Sequence, residues 1–393
     1  MANTLRSSYV CPVMNSMSSL SSKNSTTFGS LDMLRGAAAF AVFVYHFHSL
    51  FQEKAAAPAV LGLIGAAGHV GLDVFFVLSG FLIFRSLYLH GVNGQYFVRR
   101  FLRIMPIYYF SLAIVLLFVD QSYLFSAEGW RNIASHLFFL QSFSSATYYG
   151  INPVLWSLSI ELIFYLFLPI FLLLAGKSGK RIVGGIVLML LACYFYRYKI
   201  MIYYPNWDST QRIIFTENFI GRLDQFAFGM LASFTTIKLG MMEQASSAIR
   251  KHLLPILSLG AVIGGTLGLF WGMKVFAQLA GGFRDVVFYQ VFLHSLVGFF
   301  AALVIFGLSN TYRWVSLILG NKVFAFMGMI SYSFYIWHII LIDQVKKLSG
   351  QPLVAGNEFV ISFVVTLLFS TLTYYFVEKS FLAKKVYSPV KAG

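Results

Sequence analysis

The chain has 393 residues, of which 58% are hydrophobic and only 11% are charged. Soluble domains carry about 25% charged residues, so this composition excludes an ordinary soluble protein and indicates an integral membrane protein. The net charge of +15 would suggest nucleic-acid binding in a soluble protein. In a membrane protein basic residues mark cytoplasmic loops, so we expect membrane lipid and no nucleic acid as a partner.

The predicted elements are almost all apolar helices. The first 30 residues are polar and Ser-rich and predict a flexible cytoplasmic tail, 1–30, ahead of a membrane domain, 31–383, and a short basic cytoplasmic tail, 384–393. A crossing helix needs about 20 apolar residues. Ten stretches meet that need, near 34–51, 70–89, 103–119, 155–175, 182–201, 217–237, 253–273, 286–308, 322–343 and 359–380.

One further apolar stretch, near 133–143, is too short for a comfortable crossing. If it crossed, every basic loop after it would move outside, against the positive-inside rule. We therefore predict an all-α polytopic membrane protein with about ten transmembrane helices, both termini in the cytoplasm, and a short re-entrant or interfacial helix near 133–143.

Polar residues inside the predicted spans sort to two faces. The outer half receives His46, Asp73, Glu161 and His338, whereas arginines gather at the cytoplasmic face, at Arg35, Arg85, Arg99, Arg100 and Arg103. A histidine beside a carboxylate is typical of a general base, and clustered arginines are typical of phosphate recognition. This partition predicts an anionic donor bound from the cytoplasm and a nucleophile activated from outside.

Each of these residues also has a structural interpretation. In that interpretation the arginines only determine topology, and His46 is a core histidine or part of a proton relay. Ser79 and Gly80 are then small residues that let helices approach. A proton-coupled transporter or flippase of a sugar-containing molecule is the alternative function. The sequence contains no apparent inverted repeat, which many transporters have.

Six segments in order carry a family resemblance: LDMLRGAAAFAVFVYHFH, GLDVFFVLSGFLI, YFVRRFLRIMPIYY, LWSLSIELIFYLFLP, ISYSFYIWH and YYFVEKS. In the first, ten residues separate Arg35 from His46, and the third contains the pair Arg100 and Arg103. Together they resemble the acyltransferase 3 family of integral-membrane acyltransferases, of the O-acetyltransferase type. The last segment has Lys-Ser where the family often has Lys-Pro.

The resemblance implies transfer of an acyl group, most often acetyl, from a coenzyme A thioester to a hydroxyl. The implied acceptor is a cell-surface glycan, with lipopolysaccharide O-antigen as the first expectation, in a bacterial inner membrane. The donor is acetyl-CoA or another acyl-CoA, and no metal is expected. We expect His46 as the catalytic base with Asp73 or Glu161 orienting it. The remaining expectations are donor binding by Arg35, Arg100 and Arg103, and substrate binding by His338, Trp156 and Ser79.

Overall fold

The structure is a computed structural model that describes residues 12–51, 59–204, 206–242, 253–279, 289–310, 315, 322–351, 354 and 356–383. Residues 1–11 and the predicted basic tail, 384–393, lie outside the described residues. The first helix begins at Pro12, so residues 12–30 of the predicted N-terminal tail are helical. The flexibility of that tail stays a prediction.

The described residues form helices joined by turns and contain no β-strand. We number the helices α1 Pro12–Leu50, α2 Ala59–Ala67, α3 Val70–His90, α4 Gly94–Ile114, α5 Ala127–Leu137, α6 Trp156–Ala175, α7 Gly179–Tyr203, α8 Ser209–Thr216, α9 Leu223–Met242, α10 Leu254–Leu279, α11 His294–Asn310, α12 Lys322–Lys347, α13 Glu358–Thr373 and α14 Lys379–Ala383. Single π-helical segments extend α4 over Val115–Val119, precede α11 over Tyr289–Leu293 and link α13 to α14 over Tyr374–Glu378.

Eight helical segments of the described chain are long and apolar enough to cross a membrane. They coincide with eight of the ten predicted spans and comprise Val70–His90, Gly94–Val119, Trp156–Ala175, Gly179–Tyr203, Leu254–Gln278, Val291–Asn310, Ala325–Lys347 and Glu358–Leu382. The other two predicted spans overlap α1 and α9, which carry polar side chains such as Arg35 and Asp224 within the helix. An all-α polytopic membrane protein is confirmed, with ten as an approximate helix count.

The short helix between the third and fourth predicted spans is α5, and it begins and ends six residues earlier than predicted. It begins at Ala127 because the Ser126 side chain accepts a hydrogen bond from the Gly129 backbone N–H at 3.0 Å. It ends at Leu137, and Phe139 adopts a positive φ of 58° that no helix accommodates. Asn132 and His136 are buried, whereas apolar residues of the next turns are exposed.

The centre of the bundle is formed by α1 and α3. The first packs along α12 and against α3, and α3 packs along α9. A Cβ atom at Gly80 of α3 would lie 2.4 Å from the Phe226 carbonyl oxygen of α9, and one at Gly229 would lie 2.1 Å from the Val77 carbonyl oxygen. The small residues of the LSGFL segment therefore let two helix backbones meet, as one interpretation of the sequence expected.

Packed phenylalanines set the register between α1 and α12. Phe43 is fully buried, and its ring centroid lies 5.6 Å from that of Phe334 on α12 and 5.7 Å from that of Phe363 on α13. Residues three or four apart share one helix face. Since His46 follows Phe43 by three residues and His338 follows Phe334 by four, the same register brings the two imidazoles together.

Candidate functional site

The His46 and His338 rings form a direct hydrogen-bonded pair. His338 Nε2 lies 3.0 Å from His46 Nδ1, and the ring centroids are 4.9 Å apart. His46 Nδ1 also lies 3.1 Å from the Val42 carbonyl oxygen one turn earlier. On the other ring, His338 Nδ1 lies 2.6 Å from the Tyr335 carbonyl oxygen.

These contacts assign the tautomers of two neutral rings. A carbonyl oxygen only accepts, so His338 Nδ1 carries the proton and donates it to the Tyr335 oxygen. His338 Nε2 is then an acceptor, and His46 Nδ1–H donates to it. The remaining nitrogen, His46 Nε2, keeps its lone pair and has no hydrogen-bond partner among the described residues. The pair thus leaves one basic atom free on His46.

Asp73 and Glu161, one of which was expected to orient His46, make no hydrogen bond to its ring in the described structure, so their role there stays a prediction. Within the described part of the chain, the hydrogen-bond partners of the His46 ring are the Val42 oxygen and His338. The reason is that both carboxylates have other partners. Asp73 contacts Arg222 and His294, which are distant in sequence, whereas Glu161 accepts from Ser79 and from Tyr165 of its own helix. His338, which was expected to bind substrate, contacts the ring of His46. Its contact with substrate stays a prediction.

Asp73 is the centre of a buried polar network, which we call the Asp73 network: Asp73, Glu217, Arg222, Gln225 and His294. Asp73 Oδ1 accepts hydrogen bonds from Arg222 Nη1 at 2.6 Å and from the Gln225 side-chain amide, and lies 3.1 Å from His294 Nδ1. Arg222 Nη2 pairs with Glu217 Oε1 at 2.8 Å. Desolvated charges need such partners, and here three segments of the chain supply them to α3.

A second buried pair lies beside this network. Arg197 Nη1 lies 3.0 Å from Asp224 Oδ2, and the same guanidinium donates to the Gly221 and Val291 carbonyl oxygens at 2.7 and 2.9 Å. Both side chains are at most 1% exposed. Arg197 thus joins α7 to Asp224 of α9 and to the residues just before α9 and α11. Sequence reasoning missed Arg197 although a charged residue inside an apolar span is itself a signal of a buried partner.

The second group of polar side chains surrounds Arg103, and we call it the arginine cluster: Arg35, Arg103, Glu161 and Glu378. Glu161 Oε1 accepts hydrogen bonds from Ser79 Oγ at 2.6 Å and from the Tyr165 hydroxyl at 2.7 Å. Glu161 also interacts electrostatically with Arg35 and Arg103. The structure therefore groups Glu161 with the arginines, whereas the sequence grouped it with His46.

Within this cluster the two arginines differ in their partners. Arg35 Nη1 pairs with Asp32 Oδ1 at 2.9 Å. Arg103 makes no direct ion pair with the described residues, although it interacts electrostatically with Glu378 and Glu161. Glu378 is held in turn by Ser333 Oγ at 2.9 Å. The Arg103 guanidinium therefore has no hydrogen-bond partner among the described residues, while two nearby carboxylates balance its charge.

The Arg100 side chain points to a different place from Arg103. It lies over the rings of Tyr96 and Tyr165, with Cζ 5.8 and 5.7 Å from their centroids. Arg100, Arg99 and Asn93 line a cavity of about 280 Å³ where α3 ends and α4 begins. The Arg100 Nε atom is buried and has no hydrogen-bond partner in the structure. Arg103, three residues further along α4, is not among the residues that line this cavity.

The remaining predicted substrate residues are Trp156 and Ser79. Trp156 is stacked on Tyr148, with ring centroids 5.0 Å apart and an interplanar angle of 22°. The Ser79 hydroxyl donates a hydrogen bond to Glu161 Oε1. Their roles in binding substrate stay predictions.

Comparisons with known proteins extend over most of the chain. The sequence model of the acyltransferase 3 family, described as an acyltransferase domain, matches residues 28–375. Peptidoglycan O-acetyltransferase OatA of Listeria monocytogenes is 26% identical over 343 residues, which cover 80% of this chain and 49% of that protein. A Staphylococcus aureus protein, provisionally named an O-acetyltransferase, is 25% identical over 375 residues, 89% of this chain and 56% of its own length.

A Bacillus subtilis protein, provisionally named a peptidoglycan O-acetyltransferase, is 27% identical over 381 residues, 89% of this chain and 54% of its own length. The chain thus spans about half the length of these relatives. No solved structure matches it. Since the family match covers nearly all of the helical bundle and includes both arginine and histidine segments, the chain belongs to the acyltransferase 3 family of membrane acyltransferases.

Proposed function

We propose that the protein is a membrane O-acetyltransferase that moves an acetyl group from acetyl-CoA to a hydroxyl of a cell-envelope glycan. The observation that carries the proposal is the His46–His338 pair, which leaves His46 Nε2 basic and without a protein partner. A base held in one tautomer by a second group is the arrangement that proton abstraction from a hydroxyl requires.

His46 Nε2 takes the proton of the acceptor hydroxyl as the hydroxyl oxygen attacks the thioester carbonyl carbon. A carbon–oxygen bond forms, the carbon–sulfur bond breaks, and the thiolate of coenzyme A leaves. The thiolate receives the proton from the His46 imidazolium, which restores the neutral ring. During the step, the positive charge on His46 is shared through its Nδ1–H with His338 Nε2.

The arginines are assigned to the donor. Coenzyme A carries phosphates, which arginine binds through paired N–H groups. We place these phosphates in the cavity lined by Arg99 and Arg100, and the extended arm of the donor along the arginine cluster, past Arg103. On α1, His46 lies eleven residues beyond Arg35, roughly 16 Å along the axis. A donor entering at the arginines then presents its thioester towards His46.

The orientation follows from the basic residues. The cavity with Arg99 and Arg100 faces the cytoplasm in the orientation that the positive-inside rule favours, so both termini are cytoplasmic and His46 belongs to the outer half. Acetyl-CoA is a cytoplasmic metabolite, and the acceptor approaches from the other side of a bacterial inner membrane.

The acceptor is a glycan hydroxyl. The names of the Listeria and Bacillus relatives favour peptidoglycan over the lipopolysaccharide that the sequence first suggested. The proposal therefore takes a peptidoglycan sugar as the leading acceptor.

Donor binding separates this function from transport. Acetyl-CoA should raise the melting temperature of the purified protein, because a ligand that binds only the folded state stabilises it. A sugar transporter or flippase gives no such response. Mass spectrometry of envelope glycans from cells with and without the gene should then detect an added acetyl mass; identical glycans in both strains would contradict the proposal.

A further inference from the structure

The Asp73 network has one accessible end, the carboxylate of Glu217. The side chain of Glu217 is 17% exposed, compared with 1% for Asp73 and 2% for Arg222. Its Oε1 atom pairs with Arg222 at 2.8 Å and lies 3.7 Å from His294 Nε2. Its Oε2 atom has no partner among the described residues, so Arg222 fixes the carboxylate and leaves one oxygen ready to accept hydrogen bonds.

Tyr148 supplies a second free polar group beside Glu217. The side chain is fully buried, and its hydroxyl has no hydrogen-bond partner in the structure. The hydroxyl interacts electrostatically with Glu217 and Arg222. Burial raises the pKa of the Tyr148 hydroxyl well above its ordinary value, so the group keeps its proton and can donate it.

Unpaired buried groups in this region carry a cost. A buried hydroxyl or amide without a hydrogen bond destabilises the folded protein, because it has lost its contacts with water. Besides Tyr148, the Gln225 Oε1 and Arg222 Nε atoms are buried and unpartnered. Three such atoms in or beside the Asp73 network indicate a place that a polar ligand completes.

The same region adjoins the His46–His338 pair. Tyr335 interacts electrostatically with Glu217 and with Tyr148. The Tyr335 ring centroid lies 5.6 Å from that of His338, whose Nε2 contacts His46. Tyr148 is also stacked on Trp156, which fixes the position of its ring.

We propose that Glu217 and Tyr148 form a binding subsite for the glycan acceptor that selects an uncharged sugar through its hydroxyl or amide N–H groups. This inference rests on the proposed transfer to a glycan and names where the acceptor sits. The free Glu217 oxygen only accepts hydrogen bonds, so it suits a sugar hydroxyl or an N-acetyl N–H. A sugar carboxylate is ionised near pH 7 and would face Glu217 with a like charge and no proton to donate.

Two variants test the subsite. Tyr148→Phe removes a hydroxyl that has no hydrogen-bond partner among the described residues, so the melting temperature of the ligand-free protein should not fall. Glu217→Gln replaces one carboxylate oxygen with an NH2 group, which donates hydrogen bonds and does not accept them, and removes the negative charge. The probe is a soluble oligomer of N-acetylglucosamine, and the readout is its dissociation constant from thermal stabilisation of the purified full chain. Glu128→Gln is the matched control, because Glu128 is exposed on α5 and pairs only with Arg131.

We expect Tyr148→Phe to weaken binding of the oligomer about fivefold and Glu217→Gln about tenfold or more, as lost neutral and charged hydrogen bonds do. Stabilisation by acetyl-CoA should be unchanged in both, and Glu128→Gln should match the wild type. Wild-type protein should bind an oligogalacturonate, an acidic glycan, at least tenfold more weakly than the neutral oligomer, and Glu217→Gln should narrow that difference.

Unchanged affinity for the neutral oligomer in both variants, or no binding of it by the wild type, would overturn the subsite. Since this readout measures binding alone, it is separate from the test of the proposed function. Absence of acetyl transfer with intact oligomer binding would remove the enzyme proposal, whereas transfer with unaltered acceptor binding in the variants would remove only the subsite.

Discussion

His338 Nε2 accepts a hydrogen bond from His46 Nδ1 at 3.0 Å, and this contact occupies the position that a carboxylate holds beside many catalytic histidines. The partner is uncharged, so it orients the ring of His46 without adding a buried negative charge. His338 is itself held by the Tyr335 carbonyl oxygen at 2.6 Å. The hydrogen bonds run in one direction, from His46 Nδ1–H through His338 to the Tyr335 carbonyl oxygen, and leave His46 Nε2 with its lone pair.

His338 should therefore act through His46. His338→Ala should lower kcat for acetyl transfer about a hundredfold with little change in the KM for acetyl-CoA, because the base loses its orientation and not its donor. His338→Gln, which keeps an acceptor, should recover part of the activity. His48→Ala, on the helix that carries His46, is the control. Equal activity of the Ala and Gln variants would contradict a role in holding the tautomer.

Arg103 should contribute to donor binding. Arg103→Ala should raise the KM for acetyl-CoA about tenfold or more, because a charge-assisted hydrogen bond contributes about 1.5–3 kcal/mol. The matched control is Arg181→Ala, at the exposed start of α7. Isothermal titration with coenzyme A separates binding from turnover. Unaltered affinity in Arg103→Ala would return this arginine to the role of a topology determinant.

The pair of Asp73 and Arg222 should stabilise the fold. Removing one partner of a buried ion pair leaves an uncompensated charge, so Asp73→Ala should cost about 3 kcal/mol of the free energy of unfolding. The double variant Asp73→Leu/Arg222→Met should lose less free energy of unfolding than Asp73→Leu and Arg222→Met lose together as single variants. Thermal unfolding in detergent measures all of them. Additive losses would show that the two side chains act independently.

Gly80 should be needed for the contact between α3 and α9. Gly80→Ala would place a Cβ atom 2.4 Å from the Phe226 carbonyl oxygen and should destabilise the protein by about 1–3 kcal/mol. Gly184→Ala on α7 is the control, because no atom lies within 4 Å of its added Cβ. The control should be neutral or slightly stabilising, since Ala favours a helix. Similar melting temperatures for both variants would contradict the close approach of the backbones.

Apolar length and the distribution of basic residues predict the membrane bundle well, because hydrocarbon requires long helices with satisfied backbones. The predicted span 70–89 and helix α3 differ by one residue at one end. The short helix α5 was placed six residues late, because apolar content alone does not reveal the Ser126 cap or the positive φ of Phe139.

The candidate site was predicted less completely. His46 and the arginines were singled out from their place in apolar helices, whereas the partners of Asp73 were missed because Arg222, Gln225 and His294 come from segments about 150 or more residues away. The predicted depth of each residue along its own helix grouped Glu161 with His46. In the structure Glu161 interacts electrostatically with Arg103. Spacing within one helix predicts a shared face, but it does not predict which helices become neighbours.

The central claim is that His46 is the base for acetyl transfer, and one assay tests it most directly. Membranes containing wild-type protein, His46→Ala or His48→Ala at equal expression are supplied with acetyl-CoA labelled in the acetyl group, and label in the glycan fraction is measured. We predict that His46→Ala loses transfer by about 10²–10⁴-fold while His48→Ala and acetyl-CoA binding are unaffected. Transfer by His46→Ala within a few-fold of the wild type would contradict the account.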